Sequence, residues 1–164
     1  MQSVRLKIPY IDAAQVEKSV THNEALALLD VVVGAAVDGF LVNTPPASPA
    51  VGTCYVIGDA PTAAWVGHAL ALAGYTEGGW RFIAAMDGLN AVDKASGETV
   101  VFRDGTWERG HVRAANLSVG GVQVVGARQA GVSDPAGGST VDVEARAAIA
   151  SILAGLRSHG LIGS

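Results

Sequence analysis

The chain has 164 residues, nearly half of them apolar (49%), and a formal charge of −4. Such a length and apolar content exclude intrinsic disorder and fit one compact domain with an appended element. No cluster of five or more basic residues occurs, so the electrostatic footprint of a duplex-binding or anionic-membrane protein is missing and neither partner is expected.

Cys54 stands alone, so no internal disulfide framework is possible, and it reads as a small core hydrophobe made in a reducing compartment. Met1 to Pro9 lacks the uninterrupted apolar stretch of a secretory leader, and no run approaches the roughly 20 residues needed to span a bilayer. The expectation is a protein soluble when made.

Residues 1–42 read as an N-terminal strand and helix with an anchoring or oligomerising role. Val4 to Ile8 alternates as a short strand before Pro9. Thr21 and Glu24 have capping-box spacing, and Ala25, Leu28, Leu29, Val32, Val33 and Ala36 recur at helical period, with Gly34 the one breaker before Gly39. The β-branched run Val31, Val32, Val33 makes intrinsic helix preference poor, so this helix is expected to be packed, on its own domain or on a neighbouring copy. Leu28, Leu29 and Val32 are its candidate oligomerisation residues.

Residues 43–126 read as an antiparallel β domain, entered through a proline-rich connector at 43–49. Short apolar runs at 54–57, 81–84, 99–102 and 122–125 alternate with Gly-rich turns. Within it, Tyr75, Gly78 and Trp80 repeat the spacing of Phe102, Gly105 and Trp107. A turn on Glu-Gly or Asp-Gly would set each aromatic across a hairpin from its Trp, worth about 0.5–1.5 kcal/mol beyond area burial. Two similar hairpins in one small sheet, with these four aromatics as hairpin core, are expected. Trp65 lies outside the repeat, in a loop-like segment, and is the candidate exposed platform for a glycan.

Residues 127–164 read as a Gly-rich linker and an association helix. Ser139, Thr140 or Asp142 can cap the helix, Glu144 and Arg157 suit its dipole, and Gly160 ends it. Ile149, Ile152, Leu153 and Leu156, with Ala145, form its stripe, which docks on its own domain or joins sister chains. The fold class is therefore α+β.

Signals for chemistry are few. The four histidines have no i, i+4 pair for zinc, and no phosphate-binding loop, dinucleotide fingerprint or nucleophile elbow occurs. Asp87, Asp93, Glu98, Asp104 and Glu108 could supply a glycosidase pair, but loop acids are usually solvated turn formers. No enzyme, no metal and no cofactor is expected.

Certain segments carry a resemblance: LKIPYIDAAQ at 6–15, KSVTHNEAL at 18–26, PPASPAVG at 45–52, Tyr55 to Ile57, AWVGH at 64–68 and GGWRF at 78–82. Over about residues 4 to 110 the chain resembles a family of uncharacterised proteins encoded in prophages and gene transfer agents of alphaproteobacteria. Residues 124–129, 140–146 and 159–162 resemble a tail found on many phage virion proteins. What the resemblance implies is a virion component, most similar to the base of a head spike at capsid vertices, carrying a fibre that attaches to host capsular polysaccharide. The implied partners are further copies of the chain, five at a capsid vertex and otherwise three, with the major capsid protein, the spike fibre protein and capsular polysaccharide. Direct carbohydrate binding through Trp65 is the alternative.

Overall fold

The computed structural model describes residues 18–139 and 142–163. The expected strand at Val4 to Ile8 lies outside them. The fold is α+β, with two helices and ten short strands among the described residues. It divides into two compact units, one ending at His111 and the other beginning at Val112.

In the first unit, helix α1 (Lys18–Val32) precedes strands β1 (Ala36–Val37), β2 (Gly39–Val42), β3 (Cys54–Ile57), β4 (Leu72–Thr76), β5 (Gly79–Ile83), β6 (Asn90–Asp93), β7 (Thr99–Arg103) and β8 (Thr106–Arg109). The strands make two four-stranded sheets, ordered β2-β3-β4-β5 and β1-β6-β7-β8. The expected aromatic hairpins therefore lie in separate sheets rather than one. Each sheet has the same plan: a short strand runs parallel to the first strand of an antiparallel meander that ends in an aromatic hairpin. The chain passes from one sheet to the other at Asp38. Its carboxylate accepts the Cys54 amide at 3.0 Å and the Lys94 ammonium at 2.8 Å, which fixes the start of β3 and the end of β6 together.

Both hairpins set their aromatics opposite one another across the ladder. Tyr75 is opposite Trp80, with ring centroids 4.9 Å apart, and Phe102 is opposite Trp107 at 5.5 Å, both edge to face. The turns differ. Asp104 (φ +49°) and Gly105 (φ +79°) are both left-handed, as a two-residue hairpin of the favoured twist requires. In the other turn the positive φ falls one residue later than expected, on Gly79 (+93°) rather than Gly78.

Alternation along each strand builds two cores. Cys54, Val56 and Leu72 face Ala91, Val100, Phe102 and Trp107 of the other sheet. Ile57, Ala71 and Ala73 point the opposite way, under Trp65. The sheets are pinned by the Trp107 indole N–H, which donates to the Leu70 carbonyl at 2.7 Å.

Helix α1 belongs to this unit. Ala27, Val31 and Ala35 are buried, and the helix lies over β4 and β5. The close approach depends on Gly74, where an added Cβ would stand 2.3 Å from Val31 Cγ2. Among the proposed oligomerisation residues, Val32 packs against the core, Leu28 is half-buried and Leu29 is exposed. The helix starts at Lys18, three residues before the expected cap, and Glu24 pairs with Arg81 of β5 at 2.5 Å. It ends at Val32, not near Gly39, because Gly34 takes φ +61° as a helix stop and Ala36 enters β1.

The second unit contains the ribbon β9 (Leu117–Val119) and β10 (Val122–Val125), then helix α2 (Val143–Ser158). The β region thus breaks near 111, and the ribbon goes with the C-terminal helix rather than with the domain expected to end at 126.

Gly74→Ala should destabilise the first unit by about 1–3 kcal/mol through overpacking. Thermal unfolding of the single variant and of the double variant with Val31→Ala checks this: the second substitution is expected to return part of the loss, the coupling of residues in contact.

Candidate functional site

The expected glycan platform at Trp65 is not present. Trp65 is 0% exposed, held in the 3-10 helix Ala63–Trp65 against Tyr55 (ring centroids 5.6 Å) and Trp80 (5.1 Å). The sequence around it looks like a loop because it is one, but the loop folds down over the outer face of its sheet and brings the indole into the second core. A buried indole cannot stack on a sugar ring. Trp107 is 5% exposed in the core between the sheets, and Trp80 is half-buried beside Trp65 in the second core.

Three of the acids considered for a glycosidase pair, Asp93, Glu98 and Glu108, are engaged by arginines. Asp93, buried at the end of β6, accepts the Ala95 amide at 3.0 Å and Arg109 Nη1 at 3.0 Å. Its carboxyl is held below the ordinary range, first by the Ala95 N–H, against burial, and then by Arg109 and Ser96. Arg109 also reaches Glu98 at 3.4 Å and lies over the Phe40 ring. Glu108 pairs with Arg103 at 3.1 Å. Among the described residues no group of three or more His, Cys, Asp or Glu could hold a metal, and no helix is long and apolar enough to cross a membrane.

Two hollows of the first unit lie among the described residues. One, of about 540 Å3, lies beside His68, which stacks on Phe82 with centroids 3.6 Å apart, and is otherwise lined by Gly67, Leu70, Phe102 and alanines. The other, of about 330 Å3, is bordered by Leu41, Gly58, Asp59, Leu70, Gly105 and Thr106. Leu41 (φ +52°) and Leu70 (+61°) both hold left-handed backbone there. Neither hollow gathers the convergent polar groups of a reaction site.

The second unit is the unusual surface. Large aliphatic side chains at eleven positions from Val112 to Leu161 are between 40% and 89% exposed, whereas Leu153 and Ile162 are its buried apolar residues among those described. Every residue of β9 and β10 is exposed. Their register sets Val119 opposite Val122 and Leu117 opposite Val125, with Ser118 opposite Gln123, so one face of the ribbon is aliphatic and the other polar.

Helix α2 is not on a free tether. Asp142 caps it, accepting the Ala145 amide at 2.8 Å, while Thr140 lies outside the described residues. Arg146 donates to the carbonyls of Pro135 and Gly137, and Arg157 to Asp134 and the Val132 carbonyl. Gln129 bridges to Ile162, and Arg128 donates to the Ile162 carbonyl at 3.1 Å. The Gly-rich stretch is therefore a strap laid along one side of the helix. Leu153 is buried on this side, Leu156 is half-buried, and Ile149 (44%) and Ile152 (62%) face out. The strap was not legible as such, because apart from the Asp134 carboxylate its acceptors are backbone carbonyls that any sequence offers. Arg146 and Arg157, eleven residues apart on one side of the helix, were the available signal.

Residues 22–108 match the model of a family described as "Protein of unknown function (DUF2793)". No curated protein and no solved structure matches the chain.

The stability that Asp93 contributes has a definite pH sign. A carboxylate with depressed pKa stabilises the fold above its ordinary value, about 4, and that contribution is lost as pH falls through the lower folded value. The thermal midpoint should therefore drop in acid, and Asp93→Asn should start lower at neutral pH and fall less between about pH 5 and pH 2.

Proposed function

The chain belongs to the family described as "Protein of unknown function (DUF2793)", and from that premise we propose that it is a non-enzymatic structural component of a phage-like particle, a head spike base of the gene transfer agent type. One observation carries this reading: the C-terminal unit leaves its ribbon and one helix side aliphatic and uncovered while burying little of its own. Soluble monomers rarely leave such surface open, and when it occurs it marks an interaction site.

In this reading the two-sheet unit is a rigid spacer and the C-terminal unit the assembly element. Spike bases contact the major capsid protein and hand on a fibre, and the fibre, not this chain, meets the capsular polysaccharide. The burial of Trp65 supports that division of labour. Contacts repeated around a symmetry axis combine by avidity, so no single interface needs high affinity.

Quantitative mass spectrometry of gradient-purified particles should find the chain in fixed ratio to the capsid protein. A chain ending at His111 should fold but drop out of the particles. Particles that lack the full chain, or that retain the shortened one at full ratio, contradict the proposal.

A further inference from the structure

We propose that the smaller hollow of the two-sheet unit, of about 330 Å3, is a binding site for an organic cation: an ammonium or guanidinium group on an aliphatic stem. The inference rests on this unit alone and does not depend on the particle role.

The one charged residue that lines the hollow is Asp59. Five other carboxylates of the unit hold cations of the chain itself: Glu24 holds Arg81, Asp38 holds Lys94, Asp93 and Glu98 hold Arg109, and Glu108 holds Arg103. Asp59 is exposed and enters no hydrogen bond or ion pair with another described residue. Yet the backbone on both sides of it is fixed. The Gly58 amide donates to the Val42 carbonyl at 3.0 Å, and the Gly58 carbonyl accepts the Leu70 amide at 3.1 Å. Beyond Asp59, the Ala60 amide donates to Asn43 Oδ1 at 3.1 Å and the Thr62 amide to the Asn43 carbonyl at 2.8 Å. Asn43 fits because position 58 is Gly, where an added Cβ would collide with Asn43 Oδ1. A carboxylate held on such a frame without a partner is preorganised to receive one.

The walls choose the rest of the ligand. Leu41 and Leu70 line the hollow, and both hold left-handed backbone, φ +52° and +61°. Asp104, beside the lining Gly105, has φ +49°, so three of the four non-glycine residues with positive φ among those described stand at or next to this hollow. Strained backbone of this kind gathers where a ligand is clamped. Leucine walls cover a hydrocarbon stem while its charged head stays at the rim, the usual behaviour of a long basic side chain. The Thr106 hydroxyl, also in the lining, can accept a second hydrogen bond from the head. The volume lies at the small end of the range for ligand sites and suits one slender group.

Charge fixes the sign. Residues 1–111 contain twelve Asp and Glu against seven Lys and Arg, so the field of the unit attracts a cation and repels an anion. A calcium-like ion needs about six to eight oxygens, which one carboxylate and one hydroxyl between leucines do not supply. No aromatic ring lines the hollow to stack on a sugar.

Methyl and amide NMR of the full chain tests this with four probes: hexylamine, N-acetyl-lysine methylamide, neutral hexanol and glucose. Hexylamine should give saturable shifts at Leu41, Leu70, Asp59 and Thr106, and hexanol and glucose should not. Asp59→Asn should weaken binding about tenfold, the order that a charge-assisted hydrogen bond supplies. Glu77→Gln, at an exposed acid away from the hollow, should leave binding unchanged. Leu41→Gly, which suits the left-handed backbone there, should also weaken binding and covers a failure of the first variant to fold. Shifts from N-acetyl-lysine methylamide as large as those from hexylamine assign the site to a basic side chain of a protein; shifts from hexylamine alone assign it to a free amine. No saturable shift with either amine, an equal response to hexanol or glucose, or binding undiminished in Asp59→Asn overturns the inference.

Discussion

The indole N–H of Trp107 donates to the Leu70 carbonyl across 2.7 Å, and the arrangement of the two-sheet unit depends on that contact. Trp107 stands opposite Phe102 in one hairpin, and Leu70, in the segment leading into the other sheet, donates its own amide to the Gly58 carbonyl. Without that acceptor the indole would be a buried donor without a partner, at a cost of about 1–3 kcal/mol. With it, Leu70 is held in left-handed backbone, the loop from Gly58 to Ala71 is pulled against its sheet, and Trp65 is carried into the second core. The same burial that makes the loop rigid removes the tryptophan from solvent.

The two units solve the problem of apolar surface in opposite ways. Among the described residues, the first holds seventeen of the nineteen buried apolar ones and is covered by its own sheets, helix and loop. The second turns its arginines inward to hold a strap, which fixes the helix in place without covering its outer side.

Much of this was legible in the residues. The aromatic spacing at Tyr75, Trp80, Phe102 and Trp107 gave both cross-strand pairs, because hairpin geometry is local and a Gly at the turn fixes the register. The helix stripe at Ile149 to Leu156 was equally local. Less legible were features set by distant partners. Glu24 looked like a capping residue but binds Arg81, 57 positions away, and Trp65 looked exposed because burial by a folded-back loop leaves no periodic trace. Placement of the hairpins in two sheets depends on Asp38, a single carboxylate in an unremarkable stretch. The split of the helix stripe between a strapped side and an open side followed from Arg146 and Arg157, whose partners are backbone carbonyls and the Asp134 carboxylate.

Amide hydrogen exchange on the full chain over a range of protein concentrations reads the covered and the uncovered unit at once. Residues 36–109 should be protected at every concentration, while 117–125 and 143–158 should gain protection as concentration rises, as the proposed assembly role requires. Rapid exchange of the ribbon and helix at all concentrations, or protection that does not depend on concentration, would contradict it.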